Sequence, residues 1–275
     1  MQDRFFAMWQ HVAKRYASST VIAGYDLFNE PYDYGAQYVH DPSSLSTYSA
    51  TILPQFYTKA IDSIRAVDSN HICIWEAPSS IVLARPNIVY SPHYPGLNDL
   101  RIYDALKVQS AMQSLATTSQ KWNVPVFIGE WGMHSEASGI VQYIEASLAF
   151  YDDYSISSAW WNYADSFTMG LFDVSGSPRQ ILIQNLVRPF LRQTSSLVTV
   201  SSTFRVTHLF TQSIRLRGSS HPPVLLIISL PEGYSVKNTQ TALGAGTCWQ
   251  FNSKERTLLL LFPPRVSVVT IQYNT

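Results

Sequence analysis

The strongest constraint on this chain is a change of rhythm near residue 190. Before it, short β-branched and apolar runs alternate with longer segments of helical periodicity; after Pro189 the helical periodicity stops. Residues 3–18 put Phe5, Trp9, Val12, Ala13 and Tyr16 on one helical face, and 44–67 do the same with Ile52, Phe56, Ala60 and Ile64, with Pro54 as a start or a kink. Segments 101–121 (Tyr103, Leu106, Met112, Leu115) and 138–153 (Ile140, Ile144, Leu148, Tyr151) repeat the pattern. The runs at 20–29, 71–76, 87–92, 124–130 and 156–161 read as strands. Such alternation folds as parallel strands joined by helical crossovers. Runs that are apolar throughout predict strands covered on both faces. Five βα units fill residues 1 to about 190.

The remainder is built differently. Short β-rich runs at 197–204, 213–218, 224–230, 247–251, 257–262 and 266–273 are separated by clusters such as Gly218-Ser219-Ser220 and Pro231-Glu232-Gly233. This spacing predicts a small antiparallel β-sandwich over 191–275, with Lys237, Asn238, Lys254 and Glu255 at its turns.

Composition excludes several functions. The chain carries 19 Lys plus Arg and 19 Asp plus Glu, a net charge of zero, which gives no basic field for a nucleic acid or an anionic membrane. No apolar run is long enough to span a bilayer. A hydrophobic fraction of 46% excludes a disordered chain. Cys73 and Cys248 form no Cys-x-x-Cys pair and are expected to be two buried thiols. There is no Gly-x-Gly-x-x-Gly or phosphate loop, no Gly-x-Ser-x-Gly elbow and no zinc-spaced histidine set, so neither cofactor nor metal is expected. The aromatic share of 13%, with 16 Tyr and 7 Trp, leans weakly towards sugar handling, because sugar rings stack on aromatic faces. The N-terminus shows no signal-peptide core, so secretion is expected only if one lies upstream of Met1.

The chemistry-bearing residues stand at strand ends. These are Asn29-Glu30-Pro31, Ser91-Pro92-His93-Tyr94, Gly129-Glu130-Trp131-Gly132 and Trp160-Trp161-Asn162-Tyr163. Parallel strands share one C-terminal face, so these groups should converge although far apart in sequence. Two carboxylates flanking one bond can divide the labour of glycoside hydrolysis, one giving a proton and the other attacking; a retaining mechanism needs them about 5 Å apart. Either Glu alone is equally a helix cap or a surface ion-pair member. His93 taken alone reads as a satisfied core histidine sooner than as a group that tunes an acid. Asn29 is a turn residue or a sugar ligand. Trp161 is a stacking floor or barrel filling. Asp165 and Asp173 are expected as turn formers, and Glu76, at the end of the second strand, receives no role.

The segments GYDLFNEPYD (24–33), IVYSPHYPG (88–96), VFIGEWG (126–132), SAWWNYADS (158–166) and GLFDVSG (170–176) resemble glycoside hydrolase family five, the cellulase-type retaining glycosidases. The resemblance implies an α/β fold, a (β/α)8 TIM barrel, of which this chain holds strands four to eight. It implies Glu30 as acid/base and Glu130 as nucleophile. Asn29, His93 and Trp161 (or Trp160) match the family's substrate-contacting positions. The family's usual Tyr two residues after the His is Pro95 here, so Tyr94 stands as its substitute. Leu186-Val187-Arg188-Pro189-Phe190 followed by a β-sandwich also resembles the endoglycoceramidase-like branch. The implied organisation is a barrel part over 1–190 and a sandwich over 191–275. The implied substrate is an oligosaccharide, a β-glucan-type polysaccharide or a glycolipid. The motif order leaves three βα units uncounted, on the order of 90–100 residues, so the chain is expected to be an N-terminally truncated form, weak or inactive by itself. The competing reading is an inactive or non-catalytic carbohydrate-binding relative.

Overall fold

The structure, a computed structural model, describes residues 1–31, 51–76, 85–93, 101–164, 168–194, 198–205, 209–216, 224–232, 234–238, 248–262 and 268–274. It gathers into two units, Met1–Gly96 with Lys107–Trp131, and Leu97–Leu106 with Gly132–Thr275.

In the first unit, α1 (Gln2–Tyr16) leads into β1 (Gly24–Asp26), α2 (Leu53–Arg65) into β2 (Ile72–Trp75), and β3 (Ile88–Tyr90) is followed by α3 (Ala105–Trp122) and β4 (Phe127–Trp131). Pro54 sits in the first turn of α2, where its missing N–H costs nothing, so it starts the helix. The strands β1, β2 and β3 pair in parallel in that order, Tyr25 opposite Cys73 and Cys73 opposite Ile88. Parallel bridges Tyr90–Val126 and His93–Glu130 carry the ladder to β4. All four strands therefore end at one edge.

The cover on these strands is unequal. Tyr25, Cys73, Trp75, Ile88 and Tyr90 are buried on one face, and Ala13, Tyr57, Ile61 and Ile64 of the helices are buried too. On the other face Ile72, Ile74 and Val89 are half-buried and Asp26 is exposed. The expectation of equal cover is corrected. In a barrel this wall is filled by side chains from strands all round, and four strands fill it only in part. Gly24 is required by close approach: a Cβ there would lie 2.5 Å from the Ile72 carbonyl oxygen. Cys73 is a free, buried thiol whose pKa burial pushes up to about 11.

A buried network ties the bases of the strands. Asp68 accepts from the Tyr25 hydroxyl (2.7 Å) and from the main-chain amides of Asn70 (2.9 Å) and His71 (3.1 Å), and faces His71 Nδ1 at 2.6 Å. Burial alone would raise this carboxyl; the hydrogen bonds from Tyr25, Asn70 and His71 overcome it and hold it at about 2.

The second unit holds α4 (Ile140–Asp153), β5 (Ser157–Trp160) and α5 (Gln180–Leu186), then eight further strands. These are β6 (Phe190–Thr194), β7 (Val198–Arg205), β8 (Leu209–Leu216), β9 (Val224–Ser229), β10 (Ser235–Asn238), β11 (Cys248–Asn252), β12 (Thr257–Phe262) and β13 (Val268–Asn274). They form two four-stranded antiparallel sheets, in the orders β10-β13-β8-β7 and β11-β12-β9-β6. Ile214 and Ile271 of the first sheet and Leu226, Ile228, Leu258 and Leu260 of the second belong to one buried cluster, with Leu230 and Tyr273. The two-residue spacing of the strand members is that of one strand face.

Lys254 and Glu255 lie in the β11–β12 turn, their amides donating to Asn252 Oδ1. Lys237 and Asn238 do not lie at a turn; they belong to β10, an edge strand. Arg188 makes a two-point ion pair with Asp152 of α4, one arm at 2.8 Å, while the neighbouring Val187 carbonyl accepts from the Tyr234 hydroxyl at 3.0 Å. The segment before β6 is thereby fastened on both sides.

Candidate active site

The common edge of β1 to β4 gathers its polar groups around one ring nitrogen. His93 Nδ1 lies 3.2 Å from Glu30 Oε1, 3.5 Å from Glu76 Oε1 and 3.7 Å from Glu130 Oε2. The backbone explains why. Glu30 follows β1, Glu76 follows β2 directly, His93 follows β3 and is bridged in parallel to Glu130 of β4. The central strand β2 thus puts Glu76 between Glu30 and His93.

Gly129 makes room for this arrangement. A Cβ there would meet Ser91 Oγ at 2.5 Å and His93 Nε2 at 2.8 Å. The imidazole presses edge-on against bare backbone, with its other nitrogen turned to the carboxylates. Its side chain is 7% exposed, against 30% for Glu30, so Glu30 is the member of that pair most open to a ligand.

Glu30 has a left-handed backbone, φ 44°, which is unfavourable for a residue with a side chain. Its amide donates to Glu76 Oε2 at 2.6 Å. Glu76 is raised to about 7 in all: burial is the largest cause, the Glu30 amide and His93 oppose it, and the charges of Glu30 and Asp26 add to it. Asp26 is raised in the same way by desolvation, with His93 opposing. Carboxyls this close cannot all ionise cheaply, so the cluster holds protons that an isolated carboxylate would lose. That is what a site needs in order to have an acid and a nucleophile together at neutral pH.

One atom each of Glu30, His93 and Glu130 lie within 4.8 Å of one another. This is close enough for a cation to bridge, and equally close for two carboxylates to act on one bond. The His93–Glu30 contact shows the nitrogen already engaged within the protein.

Of the residues expected from sequence, Glu30, His93 and Glu130 come together. Asn29 is exposed beside Glu30. Tyr94 and Asp165 lie outside the described residues. Trp161 belongs to the second unit, is 42% exposed and precedes a cis peptide bond to Asn162; Trp160 donates its indole N–H to the Met169 carbonyl at 3.0 Å. Asp173 is a turn former, accepting from the Ser175 and Ser177 amides. Glu76 was assigned no role from sequence. Its signal was available: HICIWE is an apolar strand ending in Glu, as VFIGE is.

Comparison with known proteins follows the same line. A family model described as cellulase (glycosyl hydrolase family 5) matches residues 1–166. No curated protein matches by sequence. Among solved structures, endo-glycoceramidase II from Rhodococcus sp., in complex with a five-membered iminocyclitol, is similar over 99% of this chain and 64% of its own, at 20% identity and a TM-score of 0.73. A crystal structure of endogalactoceramidase is similar over 100% of this chain and 62% of its own, at 18% identity and a TM-score of 0.61. Cellulose synthase subunit Z from Clostridioides difficile is similar over 68% of each chain, at 19% identity and a TM-score of 0.54. The chain therefore spans less than two-thirds of the length of either glycoceramidase. Among the described residues no helix is long and apolar enough to cross a membrane.

Proposed function

The chain belongs to glycosyl hydrolase family 5, and from that premise we propose that it is a retaining β-glycosidase working by double displacement, with Glu130 as nucleophile and Glu30 as acid/base. The observation that carries this reading is the closeness of the two carboxylates, oxygen to oxygen within 4.8 Å. Retaining glycosidases hold their carboxyl groups about 5 Å apart, whereas inverting ones leave about 6.5–9.5 Å for a water. Glu130 attacks the anomeric carbon while Glu30 protonates the departing oxygen. Glu30 then takes a proton from the water that releases the glycosyl-enzyme. Asn29 beside Glu30 hydrogen-bonds a sugar hydroxyl.

The proposed substrate is a glycolipid in preference to a β-glucan. The support is the similarity of almost the whole chain, C-terminal strands included, to an endo-glycoceramidase solved with ganglioside GM3 and as a lactosyl-enzyme intermediate. Residues 1–190 are the barrel part, and 191–275 are a non-catalytic β-sandwich whose two inner faces share the cluster from Ile214 to Tyr273. The half-covered face of β1–β3 favours a second reading, a carbohydrate binder without turnover.

Azide rescue tests the roles. In Glu130→Ala, azide should restore turnover and give the inverted glycosyl azide. In Glu30→Ala, substrates with good leaving groups should still glycosylate the enzyme, and azide should give a retained product. A retained azide product from Glu130→Ala would reverse the roles. Glycan binding with no turnover by the unaltered chain would favour the second reading.

A further inference from the structure

Glu76 is the half-buried carboxyl facing His93 at the strand ends that the double displacement leaves without a task. Three contacts define it. Its Oε2 accepts the Glu30 amide at 2.6 Å, its Oε1 lies 3.5 Å from His93 Nδ1, and its main-chain carbonyl accepts the Tyr57 hydroxyl at 2.6 Å. The first contact falls on the one strained residue of the site, Glu30 at φ 44°. A left-handed backbone on a side-chain-bearing residue is strained and persists only when its surroundings enforce it. The carboxylate oxygen on the Glu30 amide is such an enforcement.

We propose that Glu76 is a positioning residue for the acid/base: it clamps the Glu30 main chain and, by its charge, sets the pH at which Glu30 gives up its proton. This rests on the glycosidase reading of Glu30. A neutral amide would clamp as well at a lower desolvation cost, so a carboxyl kept here is explained by its charge. The groups that face it among the described residues are Asp26 and Glu30 from β1 and its end, Tyr57 of α2, Tyr90 and His93 from β3 and its end, and Glu130 of β4 beyond the imidazole. Its rise to about 7 makes its charge switch near neutrality, in the range where a glycosidase acid must hold its proton.

The experiment uses the whole chain with Glu76→Gln and Glu76→Ala and reads two quantities. The first needs no turnover: the proton resonance of the Glu30 amide, followed against pH. Unaltered protein should show it strongly downfield, with a step centred near pH 7. Glu76→Gln should keep part of the downfield shift and lose the step, and Glu76→Ala should lose both. A step that survives in Glu76→Gln, or an unmoved resonance in Glu76→Ala, overturns the proposal. The second is kcat/KM on aryl β-glycosides. Glu76→Gln should move the basic limb to lower pH, because removing a neighbouring negative charge makes Glu30 a stronger acid. Glu76→Ala should lose roughly 10²-fold on poor leaving groups and much less on good ones. An unmoved basic limb in Glu76→Gln also overturns it. If the unaltered chain turns over no glycoside, the glycosidase reading fails, and the clamp is decided by the amide resonance.

Discussion

At the ends of β1 to β4, three carboxyl groups stand within 3.7 Å of one imidazole nitrogen. Between the two C-terminal sheets, the cluster from Ile214 to Tyr273 is apolar apart from the Tyr273 hydroxyl, which donates to buried Gln212 at 3.4 Å. Both regions are made of short strands rich in Ile, Leu and Val. They differ in what the strands deliver. Where parallel strands all end at one edge, each contributes one polar group to a shared spot, and the Glu76 carboxyl among them is raised by burial and by neighbouring charge. Where antiparallel strands run past each other, polar ends are distributed to turns such as Asn252–Arg256, and the interior is packed mostly by apolar side chains. The first arrangement is unfavourable for stability and useful for chemistry; the second is the reverse.

Substitutions at the two places should therefore fail in different ways. The largest expected effect is Glu130→Ala, which should lower kcat on aryl glycosides by roughly 10⁴-fold with little change in melting temperature. Glu30→Ala should lose roughly 10²–10³-fold on poor leaving groups and far less on good ones, read as a steeper dependence of kcat/KM on leaving-group pKa. In the C-terminal sheets, Leu260→Ala should remove about 3 kcal/mol of stability, measured by denaturant unfolding, while turnover per folded molecule stays unchanged. Equal loss of turnover and stability in Leu260→Ala would dissolve the distinction.

The smallest effect sharpens the comparison from within the first unit. Asp68 is a carboxyl stabilised as an anion, the opposite of Glu76. Its folded value of about 2 lies below its ordinary 3.8, so its contribution is fully present above about pH 4 and is lost as pH falls through 2. The shift corresponds to about 2 kcal/mol. Unfolding free energies between pH 5 and pH 2 should fall by more in the unaltered chain than in Asp68→Asn.

The parallel strands were legible because each apolar run is bounded and ends in a polar residue. The helices were legible from the spacing of residues such as Ile140, Ile144 and Leu148. Three elements were not. The helix α5 has seven residues, too few to display a period. The strand β6 carries Arg192 and is irregular between Leu191 and Gln193, so it lacks clean alternation. The strand β10 is short, polar and at an edge. At the site, Glu30, His93 and Glu130 were readable because their motifs are distinctive. Glu76 could be placed at a strand end from the HICIWE run, but its hold on Glu30 could not be read, because a main-chain hydrogen bond leaves no mark on the sequence of its donor. The half-open face of β1–β3 was hidden for a related reason. Composition shows that Ile72, Ile74 and Val89 are apolar, and only packing shows how far they are covered.

The division of roles between the two carboxylates can be tested in one step by trapping the intermediate. A 2-deoxy-2-fluoro aryl β-glycoside with a good leaving group slows release of the glycosyl-enzyme, and peptide mass spectrometry then identifies the labelled residue. Stoichiometric label on Glu130, removed slowly in water with retained configuration, is the predicted result. Label on Glu30 or Glu76, or turnover that proceeds with inversion and leaves no label, would contradict it.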